Sequence, residues 1–416
     1  MHLTDDELAV LDGKAGEAAG LAMSVMRDMG AAFGAKRLIP VSQVHVDTTL
    51  YMVDAGVEFA EKMAAMGGRF TIPTSLNPSA IDLIHWQEYR TPPDLLENSR
   101  RIETAYLKMG AAPTWTCTPF QHGLIPRFGE QIAWGESNAI AFANSVLGAR
   151  SNRYADLMDI CTAIIGKVPE FGLHLAENRR AEILIRLVDL PNHCFDNTAI
   201  YPVLGYLLGE IAGDRVAAIH GIPQQVPIDG LKAFSAAAAA SGAVGLFHMI
   251  GITPEAQSFE MCFHGRQPEQ VVDIDHHRIQ AAAEKLSDST VSTVDLIALG
   301  CPHYSFQEFR NLIRLLYGRK ISGSVVFWVF TNRSVYAWIR DCGILNQLSD
   351  SGVMVFTDGC PLQYPKQSWR FSAAMTDSGK FASYCFSQTG LVCVFGSLLD
   401  CVETAVSGGH VRRSIL

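Results

Sequence analysis

Between residues 294 and 360 three apolar runs alternate with two helical periods, and this spacing restricts the fold more than any other feature of the chain. VDLIALG (Val294 to Gly300), SVVFWVFT (Ser324 to Thr331) and the strand within GVMVFTDGCP have the short, continuous form of strands buried on both faces. Ser305 and Glu308 make a capping box that opens the helix FQEFRNLIRLLYG, and NRSVYAWIRDCG forms a second helix ending at Gly343. Strands joined by helical crossovers of this length pair in parallel, so the region is a βαβαβ unit. Similar alternation along the rest of the chain predicts an α/β protein with several sheets. Thr4 with Glu7 caps a first helix that stops near Gly13, and another helix runs from about Pro93 to Gly110.

The 416 residues, at about 150 per domain, suggest two to three domains. Linkers rich in Pro, Gly or Ser are missing, so the divisions follow shifts in composition. We expect a first lobe over 1–175, an inserted middle lobe over 176–290 and the βαβαβ lobe over 291–416. With 33 Lys+Arg against 42 Asp+Glu and no basic block, the chain offers no footprint for nucleic acid or an anionic membrane. The acidic start MHLTDDELAVLDG lacks the basic, acid-poor character of a signal or transit peptide, which predicts a cytoplasmic, reducing location. The uncharged stretch from Ala233 to Pro254 is built of Ala, Ser and Gly, and it reads as a packing helix, a Gly break and a buried strand rather than a membrane span.

The ten cysteines sort by context. Cys117 in TWTCTPF, Cys301 in LGCPH and Cys360 in DGCPLQYP each have a proline one or two residues later, which sets the thiol at a turn. Cys161, Cys194, Cys262, Cys342, Cys385, Cys393 and Cys401 have apolar or helical neighbours and are expected in the core. Cys301 and Cys360 follow strands of one parallel sheet, at the rim where such sheets bind ligands. With Cys117 from another lobe, three thiolates and an open fourth position suit an iron–sulfur cluster or a catalytic zinc. Ordinary turn cysteines fit the same pattern.

The stretches IPTSLNP, TWTCTPF, PRFGEQIAWGESNAIAFANSVLGARSNR, GLHLAENR, LGCPH and TDSGKFASY, in this order, resemble the large subunit of the aconitase X family, nearly end to end. The resemblance implies aconitase-like three-layer α/β/α lobes with parallel sheets around a central cleft. It implies an iron–sulfur hydro-lyase, with Cys117, Cys301 and Cys360 as cluster ligands and the cluster's nuclearity open. It places substrate binding on Thr48, Thr49, Leu50, Asn77, Pro78, Glu136, Ser137 and Lys380, with Glu136, Ser137 and Lys380 catalytic. Each has a plainer role beside it: Asn77 as a turn residue, Glu136 as a helix N-terminal acid, Lys380 as a surface lysine. Arg150 and Arg153 either clamp a carboxylate or tie two lobes together. His303 either donates to a cluster sulfur or simply enters a helix, and the latter is expected. His276 and His277 are expected as a surface pair whose rings do not face one another.

Where phosphomevalonate dehydratases of this family carry a small, polar run, this chain has Thr48-Thr49-Leu50, and its last site cysteine sits in Asp-Gly-Cys rather than Asp-Thr-Cys. Both departures favour a hydroxy acid without phosphate, cis-3-hydroxy-L-proline, over mevalonate 5-phosphate. A small swivelling domain that closes over the cluster is expected as a separate subunit. A zinc hydrolase and a non-catalytic scaffold or regulatory subunit stand as readings of other classes.

Overall fold

The apolar runs become strands wherever helices cover both faces. In a computed structural model of the chain, which describes residues 1–154, 156–363 and 369–415, three parallel sheets carry the fold. The first contains β1 (Val44–Val46), β2 (Thr74–Leu76) and β3 (Ala133–Trp134), with α1 (Pro93–Met109) between the second and third strands and α2 (Ser137–Phe142) following. The second contains β4 (Ile183–Leu187), β5 (Ala217–His220), β6 (Phe247–Met249) and β7 (Gln270–Ile274), with α3 (Ile200–Ala212) and α4 (Ile228–Ser241) as crossovers. The third contains β8 (Leu296–Tyr304), β9 (Val326–Thr331), β10 (Val353–Thr357), β11 (Ala373–Thr376) and β12 (Val392–Phe395), connected in part by α5 (Phe306–Leu316), α6 (Arg333–Asp341) and α7 (Gly379–Thr389). Their strand orders are β2-β1-β3, β6-β5-β4-β7 and β10-β9-β8-β11-β12.

Alternation along the third sheet explains its three layers. Ile297, Leu299, Phe327, Val329 and Val355 share a core with Phe309 and Leu312 of α5 and Val335 of α6. Their neighbours Leu296, Ala298, Trp328, Phe330 and Phe356 pack on the other face with Phe381 and Cys385 of α7. Successive strand residues point to opposite faces, so a strand covered on both sides must be apolar throughout. The Ala-rich segment is α4, whose Phe234, Ala238 and Ala239 pack with Val203 and Leu204 of α3. Among the described residues no helix is long and apolar enough to cross a membrane.

The two outer sheets direct the carboxyl ends of their strands into one cleft. Ser79, just after β2, donates its backbone N–H to the Asp358 carbonyl at 2.7 Å, and Thr357 at the end of β10 donates to the Asp82 carboxylate at 2.9 Å. Trp134, Ile140 and Phe142 of the first sheet's side share a core with Ile200, Leu204 and Phe234 of the second.

Several local expectations change. β8 extends through Cys301 to Tyr304, and its pairing with β9 shifts register between Leu299 and Tyr304. The reason lies at Gly300, where φ is +93° and a Cβ would stand 2.2 Å from the Phe330 carbonyl oxygen; the chain bends there because glycine alone tolerates both. Cys342 is exposed, its thiol donating to the Trp338 carbonyl at 2.7 Å, because it falls at the solvent-facing end of α6. The other six cysteines of its group are buried. His276 and His277 are exposed as expected, but their rings lie 3.8 Å apart because they open a helix rather than sit within one. Tyr364 and Pro365 of the DGCPLQYP segment lie outside the described residues.

Candidate active site

A cavity of about 320 Å³ lies at the strand ends, bordered by Asp47, Leu50, Asn77, Pro78, Cys117, Glu136, Ser137, Cys301, His303, Cys360 and Lys380. Most arrive by a short extension past a strand: Asp47 and Leu50 follow β1, Asn77 and Pro78 follow β2, and Glu136 and Ser137 follow β3, while Cys117 comes from the loop after α1. From the third sheet come Cys301 at the bend of β8, Cys360 past β10 and Lys380 past β11. This is the edge at which parallel α/β sheets bind ligands.

Glu136 is the N-cap of α2. One of its oxygens accepts from the Ala139 backbone N–H at 2.7 Å and from the Asn138 side chain, and the other holds the ammonium of Lys380. Capping and ion pairing thus coexist in one carboxylate, and the helix N-terminus favours its charge. Lys380 is buried in the first turn of α7, not on the surface. Burial works against its charge, but Glu136 and the sulfurs of Cys301 and Cys117 outweigh that and hold its pKa above the ordinary lysine value. Ser137 donates weakly to Glu136 at 3.4 Å. Asn77 donates its amide to the Asp47 carboxylate, and its side chain also meets the ring of the fully buried His45.

Thr48 and Thr49 are not brought into the cavity. The Thr49 hydroxyl donates to the Pro78 carbonyl at 2.8 Å, and the Thr48 hydroxyl accepts from the Leu157 backbone N–H at 3.2 Å. A tight turn, in which Thr49 N–H donates to the Asp47 carbonyl, sends both hydroxyls into the backbone. Arg150 and Arg153 do not border the cavity either, and Arg153 instead donates to the Gly242 carbonyl at 3.4 Å, between the first and second sheets.

The thiols are the soft donors of the site. Burial pushes Cys117 up to about 12 and raises Cys301 and Cys360 as well. The charge of Lys380 acts in the opposite direction on all three. Neutral thiols are the outcome until a bound cation reverses the balance.

His303 links the three cysteine segments. Its backbone N–H donates to the Cys117 sulfur at 3.3 Å. Its Nε2 donates to the Gly359 carbonyl at 2.8 Å, beside Cys360, which leaves Nδ1 to accept from the Thr116 hydroxyl at 3.1 Å, beside Cys117. The expected helix-entry role is therefore corrected: the imidazole is fully buried two residues after Cys301, and burial lowers its pKa to about 4. Asp47 is missing from the sequence expectations too, although an acid immediately after a parallel strand is a signal worth weighing. Its approach to the site depends on Gly135, where a Cβ would stand 2.8 Å from that of Asp47.

Family models of the aconitase X first, second and third domains match residues 1–177, 181–284 and 294–407. A cis-3-hydroxy-L-proline dehydratase of Pseudomonas aeruginosa is 41% identical over 403 residues, 96% of this chain and 69% of that protein. One of Hypocrea jecorina is 38% identical over 412 residues, 98% of this chain and 69% of that protein. A phosphomevalonate dehydratase large subunit of Methanosarcina mazei is 33% identical over 417 residues, 100% of this chain and 99% of that protein. The crystal structure of Thermococcus kodakaraensis aconitase X in its holo-form matches with a TM-score of 0.87 at 30% identity, covering 97% of this chain and 100% of that one.

Proposed function

Since this chain belongs to the aconitase X family, we propose that it is the cluster-bearing chain of a hydro-lyase that removes water from cis-3-hydroxy-L-proline to give a pyrroline-2-carboxylate. The observation that carries this reading is the shared cavity, in which three thiols meet Asn77, Glu136, Ser137 and Lys380. The hydroxyproline substrate is supported by the relatives of that name, at 41% and 38% identity, and by apolar Leu50 on the cavity wall. The relatives acting on phosphomevalonate stand at 33% and 34% in two of the cases closest in length.

Cys117, Cys301 and Cys360 would hold the iron–sulfur cluster. Three soft thiol donors around one cavity, with no fourth protein ligand among its lining cysteines, suit a cluster that leaves one iron open to substrate. When bound, such a cluster supplies a Lewis-acidic iron that makes hydroxide a better leaving group. The chain's own residues do the rest. Lys380 binds the substrate carboxylate and stabilises the charge that grows there as the adjacent proton passes to a base, which we assign to the partner subunit. Glu136 keeps that ammonium charged and aimed into the cavity. Asn77 orients the Asp47 carboxyl on the cavity wall, and Ser137 adds an adaptable hydroxyl. A small swivel-domain subunit is the proposed partner, supported by relatives named large subunit that match over 97–100% of this chain. A cytoplasmic location accords with ten cysteines that are all free.

The test is an anaerobic assay of the reconstituted chain with its small partner. Visible absorption from a cluster and conversion of cis-3-hydroxy-L-proline are expected. A protein with cluster bands that converts mevalonate 5-phosphate instead would overturn the substrate, and one without bands after reconstitution would overturn the cluster.

A further inference from the structure

The charges around the cavity do not balance. Among its described lining residues Lys380 is the one Lys or Arg, and Glu136 already neutralises it. Asp47 is left over. One of its oxygens accepts from Asn77, and no hydrogen bond among the described residues engages the other. A carboxylate offers about four acceptor positions, so most of this one's capacity is unspent on the protein. Burial comes first, and Glu136, Asp159 and Asp156 next, in pushing the carboxyl up to about 8, so near neutral pH it holds its proton until a cation placed beside it draws the charge out. Asp159 is fixed beside it, accepting from the Asp47 backbone N–H at 2.6 Å.

Such a position repels an anion and rewards a cation. A phosphate placed here would face these carboxylates with a single, already paired ammonium to answer them. A ligand carrying both a carboxylate and an amine finds a partner for each, Lys380 for the first and Asp47 for the second. The turn that sends Thr48 and Thr49 into the backbone, and the missing Cβ at Gly135, are what bring the Asp47 carboxyl to the wall.

We infer that Asp47 anchors the cationic ring nitrogen of a zwitterionic cyclic amino acid, and so sets the choice of an amine-bearing over a phosphate-bearing substrate. This rests on the proposed dehydratase reading for the identity of the substrate, while the subsite itself is testable without turnover.

The full chain carrying its cluster is titrated with L-proline and with tetrahydrofuran-2-carboxylate, which keeps the ring and the carboxylate and replaces the amine by an ether oxygen. The wild type is expected to bind L-proline at least about tenfold more tightly, and Asp47→Asn to erase that preference while the visible spectrum stays unchanged. Asp47→Glu, which keeps the charge, is expected to retain part of it. No preference in the wild type, or a preference that survives in Asp47→Asn, would overturn the inference; so would equal loss of both ligands, which marks a structural role. Turnover of cis-3-hydroxy-L-proline is measured separately. If it fails while the Asp47-dependent preference holds, the reaction is wrong and the subsite stands; the opposite pair of results removes the subsite and leaves the reaction.

Discussion

The ion pair between Lys380 and Glu136 joins two helix N-termini from different sheets, and both side chains are largely buried, at 12% and 6% exposure. Removing one partner of such a pair leaves the other charged and desolvated, which costs roughly 3–5 kcal/mol, whereas removing both can be close to neutral. Lys380→Met is therefore expected to lower stability by about that amount and to abolish turnover. Adding Glu136→Gln should restore most of the stability, because glutamine keeps an oxygen for the Ala139 N–H, and restore none of the turnover. Denaturant unfolding of the wild type, Lys380→Met, Glu136→Gln and the double variant, alongside the dehydratase assay, separates the two effects. Equal stability of Lys380→Met and wild type would show that the pair is solvated and does not organise the site.

At the level of elements, what reads directly from the sequence is whatever burial on both faces imposes. The βαβαβ unit announces itself because Trp328 and Phe330 need cover as much as Phe327 and Val329, leaving no polar position in the run. The prolines near Cys117 and Cys360 announce irregular backbone that opens on the cleft, whereas Cys301-Pro302 lies within β8, at its bend. The directions of side chains inside such segments follow from backbone hydrogen bonds that no spacing encodes. Thr49, placed at the substrate by the family resemblance, bonds instead to the Pro78 carbonyl, while Asp47, which no motif singles out, lines the cavity. The bend of β8 is of the same kind, since Gly300 shows its purpose only once the Phe330 carbonyl is seen against it. Gly300→Ala forces a left-handed residue and a clash with backbone that cannot yield, and a loss of at least about 2 kcal/mol is expected. Because Cys301 is the next residue, iron content after reconstitution should fall further than that of a control variant equally destabilised elsewhere. Parallel loss in both would make the glycine a matter of folding alone.

The whole molecule is a meeting of sheet edges, and His303 is where the meeting is fixed: one residue reaches Cys117 through its backbone and the neighbours of Cys117 and Cys360 through its ring. Lys232 of α4 adds the second sheet's side, donating to the His303 carbonyl at 3.1 Å. His303→Ala leaves the Gly359 carbonyl without its donor and a void in a packed junction, a loss of roughly 2–5 kcal/mol. His303→Gln keeps one of the two ring contacts and should fall between. The ring also carries a pH signature. Its folded pKa of about 4 lies below the unfolded value of 6.5, so the unfolded chain takes up the proton first. The stability it contributes is complete above about pH 6.5 and is lost as the pH falls from there toward 4. His45 and His174, each lowered to about 3 by burial, act in the same direction. Unfolding free energies of wild type and His303→Gln measured between pH 7 and 4.5 should therefore converge as the pH drops, the wild type losing its advantage. Curves that stay parallel would mean that the imidazole titrates alike in the folded and unfolded chains, and the three cysteine segments would then be joined by a different set of hydrogen bonds.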